Sequence, residues 1–288
     1  MSGAKTQVLD SIEAVRVWRH NAMKSGERVG FVPTMGALHE GHLTLMRQAR
    51  AECDRVVASI FVNPLQFGPK EDFGRYPRTF ESDLQMMSQA GVDAVFFPSE
   101  QEMYPDGRES VTRVVPNPEL ADCLEGHFRP GFFTGVATVV AKLFNIILPE
   151  AAFFGEKDYQ QLQVVSRLAR DLNLPIQIVP VKTVRELDGL AMSSRNVYLG
   201  EEQRLLAPLL YKTLTSVKDA AQSGKLSLQE ALERGRNELM VMPGLELQYL
   251  EARNGDTFLA VTDFELPTVF LVAAKLKEVR LIDNIVAR

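Results

Sequence analysis

The chain has 288 residues, 45% hydrophobic and 24% charged, with a formal net charge of −5. That apolar content supplies a core and argues against intrinsic disorder, and the acidic balance argues against a general nucleic-acid binder, which carries a basic excess. Cys53 and Cys123, with no Cys-x-x-Cys spacing, give neither a disulfide framework nor a thiolate metal site.

In chain order, Arg28–Pro33 reads as a buried strand, followed by a turn and a helix near Gly41–Glu52. Asp54–Val62 is a second strand rich in β-branched residues, Phe80–Gln89 a helix and Asp93–Pro98 a third strand. Gly135–Leu148 reads as a helix, Ala151–Gly155 as a strand, Asp158–Leu172 as a helix and Ile176–Val181 as a strand. Continuous apolar strands alternating with helices predict a Rossmann-like, doubly wound parallel sheet covered on both faces. The rhythm then changes: helices at Glu201–Gln222 and Ser227–Met240, then strands at Leu245–Ala252, Thr268–Ala274 and Glu278–Ile285. That order predicts a smaller carboxy-terminal α+β domain, with the boundary between Thr183 and Gly189, giving domains 1–184 and 185–288. The longest apolar stretch, Val136–Leu148, contains Lys142 and is too short to span a bilayer, and no basic-then-apolar leader is seen, so a cytoplasmic protein is expected.

The strongest local signal runs from Pro33 to His42, where the first strand gives way to a helix. Ligands of open parallel sheets bind beyond the carboxyl ends of the strands, and a helix amino terminus there offers N–H groups and a positive dipole end to phosphate. Gly36 and Gly41 allow close backbone approach, and His39 and His42, three apart, fall on one face of a helical turn. Gly155-Glu156-Lys157-Asp158 places a cation and a carboxylate in a strand-to-helix turn that is not a P-loop; Lys157 suits a phosphate, and Asp158 suits a helix cap or a ribose. Met192-Ser193-Ser194-Arg195 offers hydroxyls and a guanidinium, suited to a loop closing on a triphosphate or to an ordinary hinge. Asn63, Gln66 and Gln161 are neutral amides near strand ends, suited to hydroxyls and a carboxylate or to satisfying buried backbone. The Ser-x-x-Lys match at Ser2–Lys5 carries no weight, and neither a Gly-x-Ser-x-Gly elbow nor a Gly-x-Gly-x-x-Gly fingerprint is present.

The His-x-Gly-His spacing resembles that of the nucleotidylyltransferase superfamily. The blocks Pro33–His42, Ile60–Phe67, Phe154–Gln161 and Gly189–Asn196, in that order, resemble the pantothenate synthetase (pantoate–β-alanine ligase) family. The resemblance implies ATP-dependent, Mg²⁺-assisted condensation of pantoate with β-alanine through a pantoyl adenylate, with release of pyrophosphate and AMP, by a homodimer. It also implies ATP binding by Met35, Gly36, Ala37, Leu38, His39, Glu40, Gly41 and His42. Gly155, Glu156, Lys157, Asp158, Met192, Ser193, Ser194 and Arg195 join them, as does the backbone of Val184 at adenine. His39, His42, Lys157 and Arg195 are the expected catalytic groups, with His42 as proton donor. Pantoate falls to Gln66, Gln161, Asn63 and Arg129, β-alanine to Gln66, and Mg²⁺ to the neighbourhood of Asp83. The chain departs from the family at Phe132, where a histidine is common. Two rivals stand beside this reading: nucleotidyl transfer to a phosphate ester, which would need a second cationic pocket where Asn63 and Gln66 lie, and a non-enzymatic nucleotide-binding module, which would not need Lys157 and Arg195.

Overall fold

A computed structural model describes residues 5–69 and 71–288; Ser2, which opens the Ser-x-x-Lys match, lies outside them. The chain forms two compact units, one running through Glu156 and including Gln161–Lys182, the other made of Lys157–Gln160 and Thr183–Arg288.

The first unit begins with β1 (Gln7–Leu9), α1 (Ile12–Lys24), β2 (Val29–Thr34), α2 (Glu40–Glu52), β3 (Arg55–Ile60), α3 (Phe80–Gln89) and β4 (Ala94–Phe96). Short helices α4 (Glu100–Met103), α5 (Pro118–Ala121) and α6 (Glu125–Phe128) lead into the long α7 (Phe132–Ile147). Then come β5 (Ala151–Gly155), α8 (Tyr159–Asp171), which belongs to this unit from Gln161 on, and β6 (Gln177–Val181). All strand pairings are parallel, in the order β1-β4-β3-β2-β5-β6. Strand order reverses at β2, which has β3 on one side and β5 on the other; its carboxyl end is the topological switch point where such sheets bind ligands.

Alternate residues of each strand serve different cores, which is why the strands read as unbroken apolar runs. Phe31, Val57, Phe96 and Phe154 pack with Val15 of α1 and Val140, Phe144 and Ile147 of α7. Val32, Val56, Val95 and Phe153 pack with Met46 and Ala49 of α2 and Met87 of α3. Helix α7 starts three residues before the expected Gly135, behind Gly131 at φ 81°. Neither β1 nor α1 is among the elements that the sequence predicts. Helix α1 buries only Val15, Arg19 and Ala22, and Arg19 donates to the Leu148 carbonyl and pairs with Glu150, partners 129 and 131 positions away. A buried arginine defeats a hydrophobic-periodicity reading.

The second unit carries α9 (Glu201–Leu206), α10 (Leu209–Gln222), α11 (Leu228–Met240) and an antiparallel sheet, β7 (Leu245–Asn254), β8 (Thr268–Leu276) and β9 (Val279–Ala287), in that spatial order. The single helix expected over Glu201–Gln222 is broken at Ala207-Pro208, because proline has no N–H to continue the ladder. Leu210, Leu214, Val217, Leu232 and Leu239 pack on Leu250, Phe270, Val272 and Ala274. Among the described residues no helix is long and apolar enough to cross a membrane.

Candidate functional site

At the carboxyl end of β2 the backbone turns through two left-handed residues, Gly36 at φ 83° and Ala37 at φ 51°. The Ala37 and Leu38 N–H groups donate to Oδ2 and Oδ1 of Asp83 at 3.0 and 2.9 Å, and the Thr79 hydroxyl donates to Oδ2 at 3.1 Å. A left-handed alanine costs about 1–2 kcal/mol; two hydrogen bonds to a carboxylate, at about 1.5–3 kcal/mol each, outweigh it. Asp83 is 1% exposed and both its oxygens serve the loop, so this residue, expected near Mg²⁺, is the anchor of the motif loop. Among the described residues no group of three or more His, Cys, Asp or Glu side chains is arranged to hold a metal.

The loop delivers His39 to the N-cap of α2 in extended conformation, φ −142° and ψ 176°. His39 Nδ1 accepts the Gly41 N–H at 3.1 Å, while Nδ1 of His42, at the third helical position, accepts the His39 N–H at 3.3 Å. The rings lie 4.1 Å apart. They come together through reciprocal capping, with His39 outside the helix, rather than as two positions of one helical face. Because each Nδ1 accepts a backbone proton, a neutral ring carries its own proton on Nε2. Two imidazole N–H donors and the amino end of a helix are thus grouped at the switch point, an arrangement whose dipole and donors suit an anion. Glu40 opens α2 and pairs with Arg47.

After β3, Asn63 caps the turn Pro64–Gln66. It is 1% exposed, and its amide is fully used. Nδ2 donates to Gln66 Oε1 and the Gly135 carbonyl, both at 3.1 Å; Oδ1 accepts the Leu65 N–H at 3.3 Å and the Tyr104 hydroxyl at 2.7 Å. Asn63, expected to meet pantoate, is hydrogen-bonded to the amide of Gln66. The half-buried Gln66 in turn donates Nε2 to Met35 Sδ at 3.3 Å, joining the second motif to the first. A Cβ at Gly135 would sit 2.2 Å from the Leu65 carbonyl oxygen, so glycine is what lets α7 approach this turn. Gln161 is half-buried on the first turn of α8, beyond the end of β5.

Arg129, assigned to pantoate from the sequence, is engaged within the protein. Nε and Nη2 donate to Glu71 Oε1 and Oε2 at 2.6 and 2.7 Å, Nη2 reaches the Gln66 carbonyl at 3.3 Å, and Cζ stands 3.6 Å from the Phe132 ring centroid. The phenyl ring of Phe132 serves as a cation–π shelf. Glu71, 58 positions away, carries no sequence signal of this role.

In the second unit the Lys157 carbonyl accepts from Asn284 Nδ2 at 2.8 Å, its Nζ is 4.0 Å from Asp158 Oδ2, and Tyr159 donates to the Gly255 carbonyl at 2.8 Å. The Val184 carbonyl accepts the Met192 N–H at 3.0 Å, closing a loop whose return strand bridges Arg185 and Ala191. Arg185 anchors that loop with two bonds to Asp283, at 2.7 and 2.9 Å, and lies 3.6 Å from the Tyr211 centroid. Arg204 pairs with Glu186 and Asp188, each at 2.5 Å. From this frame Asn196 donates to Glu186 Oε1 and the Ala191 carbonyl, and the Ser193 hydroxyl accepts the Arg195 N–H at 3.2 Å, fixing Ser194–Tyr198 as a tight helical turn. Burial pushes the Asp283 carboxyl up while Arg185 holds it down. Sequence reasoning missed Arg185, Arg204 and Asp283, whose partners are set by tertiary structure.

A fully parallel sheet with a paired-histidine helix cap at its switch point defines an open α/β protein with an anion site at a helix amino terminus. The family model for pantoate–β-alanine ligases matches residues 7–286. Pantothenate synthetase of Chromobacterium violaceum is 49% identical over 279 residues, 97% of this chain and 98% of that protein. The crystal structure of pantothenate synthetase from Thermus thermophilus superimposes with a TM-score of 0.91 at 48% identity, covering 97% of this chain and 99% of that one. The pantoate–β-alanine ligase of Francisella tularensis, crystallised with βγ-ATP and β-alanine, gives 0.81 at 36% identity, over 98% and 97%. The chain belongs to the pantoate–β-alanine ligase family.

Proposed function

We propose that this chain condenses pantoate with β-alanine at the expense of ATP through a pantoyl adenylate. The reciprocal capping of His39 and His42 carries the proposal, because it turns two imidazoles into oriented N–H donors at a helix amino terminus. In the first step a pantoate carboxylate oxygen attacks the α-phosphorus of ATP and pyrophosphate leaves. In the second the neutral amine of β-alanine attacks the acyl carbon and AMP leaves. Catalysis of the first step is positioning and charge stabilisation.

The backbone from Met35 to Gly41 takes the phosphates, with His39 and His42 donating and His42 the proton donor. Lys157 and Arg195 offset phosphate charge, Ser193 and Ser194 add hydroxyls, and Gly155, Glu156, Asp158, Val184 and Met192 complete the nucleotide set; their assignment rests on the motif blocks. Gln66 and Gln161 take pantoate, and Gln66 borders β-alanine. Asn63 and Arg129 act behind Gln66, through their contacts with its amide and its carbonyl. Mg²⁺ is assigned to the triphosphate itself, with the Asp83 carboxylate holding the loop beside it. A cytoplasmic homodimer is the expected working form, which sedimentation of the purified chain tests. The activity test is product analysis with all three substrates: AMP, pyrophosphate and pantothenate in equal amounts support the proposal, whereas ADP and phosphate contradict it.

A further inference from the structure

We propose that Tyr104 is a positioning residue for pantoate, acting through Asn63 on the amide of Gln66; the inference rests on the assignment of Gln66 to pantoate. Tyr104 follows α4, outside every sequence motif, and is 2% exposed. Its hydroxyl donates to Asn63 Oδ1 at 2.7 Å, the shortest of the four bonds that Asn63 makes. The ring is held independently, 5.9 Å from the Phe61 ring and under Lys142, whose Nζ is 5.8 Å from its centroid.

The direction of each bond in this chain follows from chemistry. The Leu65 N–H can only donate and the Gly135 carbonyl can only accept, so Asn63 turns its oxygen to Leu65 and Tyr104 and its NH₂ to Gly135 and Gln66. The Asn63 NH₂ donates to Gln66, which makes the near atom of Gln66 its oxygen and turns the Gln66 NH₂ toward Met35 and the end of β2. Tyr104 therefore reinforces, two amides away, the arrangement in which the pocket is offered a donor, which suits a carboxylate or the oxygen of a hydroxyl. Burial pushes the Tyr104 hydroxyl above its usual range, so it stays protonated and donating across the working pH. Without that donor, Asn63 Oδ1 keeps only the 3.3 Å bond to Leu65 while its NH₂ still holds the Gly135 carbonyl, so the amide that orients Gln66 is held less tightly.

The test compares Tyr104→Phe, Gln66→Ala and the double variant, measuring KM for pantoate and for ATP. Removing one buried hydrogen bond corresponds to about a 3- to 10-fold change. Tyr104→Phe is expected to raise the pantoate KM by that factor while the ATP KM stays within about twofold. In the Gln66→Ala background the same change is expected to have no further effect, since positioning requires the group positioned. Equal losses for both substrates, additive effects in the double variant, or a fall in Tm with an unchanged KM ratio would each overturn the role of Tyr104. A Gln66→Ala variant with normal pantoate KM would instead overturn the Gln66 assignment itself.

Discussion

His39 and His42 cap the same helix end reciprocally: Nδ1 of His42 accepts the His39 N–H while His39 Nδ1 accepts the Gly41 N–H, with the rings 4.1 Å apart. Each ring thereby satisfies an otherwise orphaned backbone donor, and its remaining nitrogen is committed to donating. Stability and catalysis are joined in the same side chains, and they can be separated by choosing the replacement.

His39→Asn keeps a good N-cap and is expected to leave stability within about 0.5 kcal/mol, while His39→Ala loses about 0.5–2 kcal/mol. Both should slow adenylate formation, as should His42→Ala, which is expected to cost about 10²–10⁴-fold. Chemical denaturation and single-turnover adenylation measure the two effects. Near-normal adenylation by His42→Ala would make that residue a cap alone.

Asp83→Asn places an NH₂ either against the Leu38 N–H or against the donors of Ala37 and Thr79. It is expected to cost about 1–3 kcal/mol of stability and to raise the ATP KM, with the Mg²⁺ concentration for half-maximal rate unchanged at saturating ATP. A large rise in that Mg²⁺ requirement would return Asp83 to the metal.

Gln161→Ala is expected to raise the pantoate KM by about 5- to 100-fold, as for a buried amide lost from a substrate hydroxyl, with a smaller change for ATP. Equal changes for both substrates, measured by initial rates, would make Gln161 a general pocket-shaping residue.

How much of this was legible in the sequence depended on the range of the interaction. Strands β2, β3 and β5 announced themselves because both their faces are buried, and the reading of Phe80–Gln89 matched α3 residue for residue. Helix α1 did not, although Ser11, whose side chain accepts the Ala14 N–H, is a local start signal. The histidine pair was legible as a phosphate-binding pattern, but not as a reciprocal cap. The sequence marks Asn63, Asp83 and Arg129 as substrate or metal groups but does not show what holds them. Their commitments to Tyr104, to the loop of Ala37 and to Glu71 span 41, 46 and 58 positions. No local pattern encodes partners at that separation.

Arg185→Met leaves Asp283 buried without its cation, and is expected to destabilise the protein by about 3–5 kcal/mol. Burial raises the Asp283 carboxyl and the guanidinium opposes that rise, so in the variant the folded-state value moves further above the unfolded one. Such a group is harmless below the unfolded value, about 4 for aspartate, and costs stability as pH rises toward the folded value. The gap between parent and variant should therefore widen as pH rises past the parent's folded value, itself above the ordinary aspartate range, as read by urea midpoints. A gap constant with pH would contradict the assignment.

The most direct measurement of the adenylate uses pantoate labelled with ¹⁸O in its carboxylate. One labelled oxygen should appear in AMP, because the oxygen that bridges carbon and phosphorus leaves with phosphorus when the amine attacks. Enzyme, ATP and pantoate without β-alanine should also exchange labelled pyrophosphate into ATP. Label found in inorganic phosphate, with ADP as the nucleotide product, would contradict attack at the α-phosphorus and with it the phosphate-binding role of the paired histidines.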